Sequence, residues 1–115
     1  MKKTGSILVL STLDSPEKAR KIALQLVQEK LAACVNVIPK ILSIYSWKKK
    51  LCMDQECLLL IKTRKNLYSK LEKRIRVLHP YEVPEILAFP AGKGSKDYLD
   101  WLIKSTDPSN RANKY

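Results

Sequence analysis

The chain has 115 residues, of which 45% are hydrophobic and 29% are charged. These fractions are those of a folded globular domain and exclude a disordered chain. At this length we expect one domain that buries about 65% of its unfolded surface. The formal net charge of +11 favours contact with polyanions, but a specific nucleic-acid partner is not predicted. The predicted central strands, Ser6 to Leu13 and Glu56 to Thr63, carry no aromatic side chain on which bases could stack.

Cysteine usage and the N-terminal residues bear on the compartment. The chain has three cysteines, Cys34, Cys52 and Cys57, which cannot all pair with one another and show no C-x-x-C spacing. Neither a disulfide framework nor a structural zinc site is therefore predicted. The apolar run that begins at Ile7 is too short for a signal peptide. We therefore expect a cytoplasmic protein with no membrane partner. Cys34 and Cys57 are predicted to be small buried hydrophobic residues.

The first predicted elements are a strand and a helix. The run Ile7-Leu8-Val9-Leu10 is apolar on both faces, as in the middle of a covered sheet. A helix should follow it, because Ser15 can cap the first turn and Pro16 fits the first helical position. Its apolar stripe, which ends near Lys30, should pack against the sheet.

A long β-hairpin is predicted next. The residues from Ala32 to Trp47 are rich in β-branched and aromatic side chains, and Pro39 within them predicts a bulge or bend. After a tip at Lys48-Lys49-Lys50 the chain returns through Glu56 to Ile61. An arm of about 15 residues would span about 50 Å, whereas a domain of this size has a radius of gyration of about 13 Å. The hairpin should therefore project from its own domain.

A projecting hairpin needs a covering partner. Exposed strand edges and apolar side chains promote aggregation unless another surface buries them. We therefore assign Ile44, Tyr45 and Trp47 to a subunit interface. The hairpin alone predicts more than one subunit and leaves the number open.

The remaining elements complete the predicted fold. A second helix is expected from about Lys65 to Leu78, a short strand from Glu85 to Pro90, and a third helix capped by Ser95. The predicted fold class is α+β, a ferredoxin-like βαββαβ sandwich with a projecting hairpin and a C-terminal helix. We expect residues 1–107 to form a single domain and residues 108–115 to form a disordered tail.

The most informative segment is His79-Pro80-Tyr81-Glu82-Val83-Pro84-Glu85-Ile86, which contains the only histidine of the chain. Two prolyl rings fix φ and remove amide donors, so this proline segment should be stiff and extended. Imidazole and carboxylates are ligands for divalent cations, and the segment can present His79, Glu82 and Glu85 to a cleft. In the alternative interpretation, His79 and Glu85 form hydrogen bonds within or between subunits.

The sequence offers no sign of catalysis. Its hydroxyls and thiols do not fall into a nucleophile–base–acid pattern, and its glycines do not form a phosphate-binding loop. We therefore expect a protein that is not an enzyme.

Four segments together resemble the CutA divalent-cation tolerance family. They are the proline segment, Ala32-Ala33-Cys34-Val35-Asn36, Ser43-Ile44-Tyr45-Ser46-Trp47 and Leu60-Ile61-Lys62-Thr63. The resemblance extends from roughly Ile7 to Ser105. It implies a compact homotrimer that shares strands between neighbours and a role in tolerance to divalent cations. We expect that no cofactor is required for folding.

The resemblance also implies copper ligands, at a cysteine of the first strand and at histidines that enter the proline segment. Here Ser11 and Leu78 occupy two of those positions, and His79 and Glu85 remain as tentative metal ligands. Without a thiolate, binding of copper or another divalent cation should be weak. Relatives often carry glycine near Lys49, so lysine there predicts a different or longer turn.

An alternative function is also open. The chain is similar in architecture to the PII nitrogen-signalling proteins, which suggests a trimeric ligand-sensing or regulatory module that binds a small anion or a partner protein in an intersubunit cleft. Lys62, Lys93 and Lys96 would supply its positive lining. The residues assigned to the binding cleft are Ser11, Tyr81, Glu82, Glu85 and Lys62.

Overall fold

A computed structural model describes residues 5–109 and has the predicted ferredoxin-like α+β fold. One four-stranded antiparallel sheet has the order β2-β3-β1-β4, so the two strands predicted to be central are central. Residues 110–115 of the predicted tail lie outside the described part of the chain. The elements are β1 (Ser6–Leu13), α1 (Pro16–Gln28), β2 (Cys34–Trp47), β3 (Lys50–Arg64), α2 (Tyr68–Leu78), β4 (Leu87–Pro90) and α3 (Lys96–Ser105).

Helices α1 and α2 cover one face of the sheet. The odd-numbered residues of β1 point toward them, and Val9 and Leu13 are fully buried there. Helix α1 begins as predicted, with Pro16 at its start and the Ser15 hydroxyl accepting from the Lys18 amide at 3.2 Å. The core formed between sheet and helices also includes Leu26, Leu59, Ile61, Leu71 and Ile75.

The hairpin of β2 and β3 is long, with strands of 14 and 15 residues. A register shift between Ile38 and Ile41 confirms the irregularity predicted at Pro39. The radius of gyration is 15.0 Å and the longest dimension is 45 Å. Because a compact domain of this size would have a radius near 13 Å, the hairpin extends beyond the core as predicted.

The turn at the hairpin tip differs from the prediction. Trp47 pairs with Lys50, so the loop consists of Lys48 and Lys49 alone, with φ angles of 50° and 66°. Positive φ at both central residues defines the tight type I′ turn, whose twist matches that of the flanking strands. The prediction of a different or longer turn was therefore wrong. The geometry of the ribbon imposes a left-handed conformation that costs a lysine about 1–2 kcal/mol.

The cysteine predictions were half correct. Cys57 is buried in the core, as predicted. Cys34 is only half-buried, because it opens the edge strand β2 and pairs with Lys62 on the sheet face opposite α1 and α2.

The helices of the fold are short. Within residues 5–109, none of them is both long and apolar enough to span a bilayer.

Candidate functional site

A cavity of about 610 Å³ opens between the outer half of the hairpin, the end of β1 and the proline segment. Three carboxylates line it: Glu56 from β3, and Glu82 and Glu85 from the proline segment. Three aromatic residues also line the cavity: Tyr45, Trp47 and Tyr81. We call it the acidic cavity.

The two elements that bring the rings together are β2 and the proline segment. Tyr45 and Trp47 are two residues apart on a strand, so both side chains point to the same side of the ribbon. Tyr81 reaches the cavity from the proline segment, where two prolines stiffen the backbone. The Lys48 ammonium lies over the Trp47 ring, 5.8 Å from the ring centroid.

Tyr81 and Glu56 form a hydrogen bond inside the cavity. The phenol donates to Oε2 of Glu56 at 2.6 Å, and Glu56 is only 7% exposed. Burial, together with this hydrogen bond, raises the pKa of the Tyr81 phenol well above its ordinary range. The pair therefore fixes the Tyr81 ring and joins the proline segment to the hairpin.

A second tyrosine–carboxylate pair lies on the hairpin itself. The Tyr45 hydroxyl donates to the Asp54 carboxylate across the two strands. This hydrogen bond is the main cause that raises the pKa of Tyr45 to about 12. Both phenols that line the cavity are thus protonated at neutral pH.

His79 is 7% exposed and lies at the junction of the proline segment with β1. Its Nε2 is 2.7 Å from the carbonyl oxygen of Thr12, and the Tyr81 amide donates to its Nδ1 at 3.1 Å. A carbonyl can only accept, so we assign the proton to Nε2. Both ring nitrogens are occupied within the chain, as the hydrogen-bonded alternative expects. The assignment of His79 and Glu85 as metal ligands stays a prediction.

The structure brings together some of the predicted cleft residues and separates others. Tyr81, Glu82 and Glu85 line the acidic cavity. Ser11 does not, because it points from β1 into the core, where its hydroxyl has no hydrogen-bond partner within residues 5–109. Lys62 also lies elsewhere, six positions along β3 from Glu56, which corresponds to about 20 Å along a strand.

Sequence reasoning missed Glu56 and Thr12 as site residues. Glu56 stands directly before the apolar run that begins at Cys57, and an acid at the start of a core strand was the available signal. Its contact with Tyr81, which is 25 positions away, depends on tertiary packing. Thr12 takes the cavity position beside Ser11 because successive residues of a strand face opposite sides.

No cluster suited to a metal ion is preformed in the part of the chain that the structure describes. Groups of three or more histidine, cysteine, aspartate or glutamate side chains that could hold one ion are absent from residues 5–109. The three carboxylates of the acidic cavity are therefore too dispersed to enclose a bare ion as they stand.

A family model described as CutA1 divalent ion tolerance protein matches residues 7–105. The chain belongs to this family. It is 52% identical over 99 residues to the divalent-cation tolerance protein CutA of Thermus thermophilus, a match that covers 86% of this chain and 96% of that protein. The four segments that suggested CutA from the sequence thus identified the family correctly.

Two plant relatives extend the comparison. The chain is 47% identical over 105 residues to the chloroplastic protein CutA of Arabidopsis thaliana, covering 91% of this chain but only 58% of that protein. The crystal structure of CutA1 from Oryza sativa superposes with a TM-score of 0.88 at 42% identity, covering 93% and 98% of the two chains.

Proposed function

We propose that this CutA1-family protein acts in tolerance to divalent cations and binds them weakly at the acidic cavity. The observation that carries the proposal is the sign of the charge there. In a chain with a net charge of +11, the described lining of the cavity contains three carboxylates and no lysine, arginine or histidine. Such a site concentrates cations against the overall field of the protein. The name of the Thermus thermophilus relative, divalent-cation tolerance protein, supports the same role.

Carboxylates are expected to make the first contact with the metal. Glu82 and Glu85 are exposed at the cavity, whereas His79 must release a hydrogen bond before it can coordinate copper. Binding of copper or another divalent cation should therefore be weak and poorly selective. It should also weaken as the pH falls, because protons compete for the ligands.

We further propose that the protein works as a homotrimer. On one side of the hairpin, Leu42, Ile44, Leu51 and Met53 are each more than 60% exposed. The register pairs Ile44 with Met53 across the two strands. Leu42 lies two positions from Ile44 on β2, and Leu51 lies two positions from Met53 on β3, so the four side chains form one apolar strip. Such a strip on a projecting ribbon favours burial by a second copy. The number three comes from the family resemblance.

The side chains of Tyr45 and Trp47 alternate with that of Ile44 along β2 and so lie on the other side of the ribbon, but all three residues line the acidic cavity. Their assignment to the subunit interface remains part of this proposal, because a neighbouring subunit that covers the strip also approaches the cavity rim. We propose a non-catalytic role and a cytoplasmic location for the assembled protein.

The anion-sensing alternative has less support at this cavity. A phosphate or similar anion requires a positive lining, and Lys62 is on a distant part of β3. Cation binding and anion binding also differ in their response to salt, because phosphate contacts weaken steeply as the salt concentration rises.

Calorimetric titration of the metal-free protein with Zn(II) and Cu(II) tests the proposal. We expect saturable binding that weakens on acidification, and a loss of affinity in the variant that carries both Glu82→Gln and Glu85→Gln. Glu17→Gln is the matched control, because Glu17 is a highly exposed acid on α1. Absence of saturable metal binding, or tighter binding of ATP than of either metal, would contradict the proposal.

A further inference from the structure

We infer, beyond the proposed function, that the acidic cavity also binds a small organic ammonium ion. The ligand class is an alkylammonium group on a short aliphatic body. Three independent features of the cavity favour it: a buried carboxylate without a cationic partner, a set of aromatic rings, and a size far above that of a metal ion.

The first feature is Glu56. This side chain is 7% exposed, and its hydrogen bond comes from the neutral phenol of Tyr81. Among residues 5–109, no lysine, arginine or histidine forms an ion pair with it. Buried carboxylates are ordinarily paired with a cation, because an unpaired buried charge is unfavourable. A cation that enters the cavity would therefore complete a pair that the chain leaves open.

The second feature is the set of rings. The faces of Tyr45 and Tyr81 carry the negative part of the ring quadrupole, which attracts an ammonium within about 6 Å of a ring centroid. One face of Trp47 already has the Lys48 ammonium 5.8 Å from its centroid, so this ring offers a ligand its other face. The hydroxyls of Tyr45 and Tyr81 are held by Asp54 and Glu56, so the two phenol rings are fixed in place. Rings and carboxylates that line one space are the combination used to recognise alkylammonium groups.

The third feature is size. The cavity of about 610 Å³ lies in the range of small-molecule sites, about 300–1,000 Å³. A bare divalent cation instead needs several ligands at about 2.0–2.6 Å, and no group of three potential ligands converges within residues 5–109. Dispersed carboxylates and apolar ring faces suit a cation whose charge is spread over a larger volume.

Calorimetry with choline and its neutral isostere 3,3-dimethyl-1-butanol tests the inference on the full chain. The two probes have the same shape and differ in charge. We expect choline to bind saturably and at least about tenfold more tightly than the alcohol. Equal binding of the two probes, or no binding of choline, would overturn the inference.

Variants then locate the site. Glu56→Gln keeps an acceptor for Tyr81 and removes the charge, so choline affinity should fall about tenfold. Glu82→Gln is an exposed lining variant that does not disturb the core and should also weaken choline binding. Glu17→Gln on α1 should leave it unchanged. If Glu56→Gln and Glu82→Gln, both folded by circular dichroism, bind choline like the parent protein, the cavity is not the site and the inference fails.

The metal titration separates this inference from the proposed function. Zn(II) binding without choline binding would overturn the ammonium ligand and leave the proposed function intact. Choline binding without Zn(II) or Cu(II) binding would support the ammonium ligand and contradict the proposed function.

Discussion

At the scale of single residues, His79 and Tyr81 decide how the proline segment is held. One imidazole bridges the Thr12 carbonyl and the Tyr81 amide, and the Tyr81 phenol reaches Glu56 on β3. The segment is thus attached to two central strands by side chains that are themselves largely buried. The acidic cavity owes its shape to these contacts.

Replacing His79 separates its structural role from a metal-binding role. His79→Ala removes two hydrogen bonds and leaves buried backbone groups without partners, so unfolding in urea should show a loss of about 2–4 kcal/mol. His79→Gln, which keeps a donor and an acceptor, should lose less. If His79→Ala is as stable as the parent protein and has lost copper binding, the imidazole is a metal ligand and the hydrogen-bonded interpretation is incorrect.

The phenols of the cavity predict a limit to stability at alkaline pH. Both tyrosines have folded pKa values above the ordinary value near 10, that of Tyr45 at about 12. Their contribution to stability is therefore fully present below pH of about 10 and is lost as the pH rises through the raised values. Tyr81→Phe should be less stable than the parent at neutral pH, and its stability should fall less between neutral and strongly alkaline pH. Denaturant midpoints across that range measure both effects, and parallel pH profiles would contradict the assignment.

At the scale of elements, local signals in the sequence predicted most of the fold. Ser15 and Pro16 marked the start of α1, and Pro39 marked the irregular point of β2, because each acts on its own backbone neighbourhood. The tip turn could not be predicted, since twist and pairing of two long strands impose positive φ on Lys49 against its own preference. Glu56 was missed for a similar reason: its partner Tyr81 is distant in sequence.

Glycine at the tip should stabilise the hairpin. Lys49→Gly relieves a left-handed conformation at a solvent-exposed position, so we expect a gain of about 0.5–1 kcal/mol in the free energy of unfolding. Lys50→Gly is the matched control, because Lys50 pairs with Trp47 in the ladder and glycine weakens a strand. Thermal melts of the two variants should shift in opposite directions. A lower melting temperature for Lys49→Gly would show that the lysine side chain stabilises the turn.

At the scale of the whole molecule, charge and apolar surface are distributed unequally. Basic side chains outnumber acidic ones, three carboxylates line one cavity, and an apolar strip runs along the projecting ribbon. The strip makes assembly a physical expectation, and the cavity beside it lies near any subunit that covers the ribbon. Cation binding and assembly should therefore be studied on the same oligomer.

A charge placed in the apolar strip should dissociate the oligomer. Ile44→Asp introduces a carboxylate that burial by a neighbouring subunit would desolvate without a partner. Leu24→Asp on α1 is the control, because Leu24 is 60% exposed and Ile44 is 61% exposed, so the two sites differ in location rather than in exposure. Analytical ultracentrifugation should show smaller species for Ile44→Asp and an unchanged distribution for Leu24→Asp. Equal behaviour of the two variants would place the interface elsewhere.

The proposed oligomer requires that neighbouring subunits bury the ribbon. Light scattering coupled to size-exclusion chromatography tests it most directly, because it measures mass independently of shape. At micromolar concentration we expect a single species with three times the chain mass of 13.2 kDa. A species with the mass of one chain would contradict the account, since the apolar strip would then be stable in water without a partner.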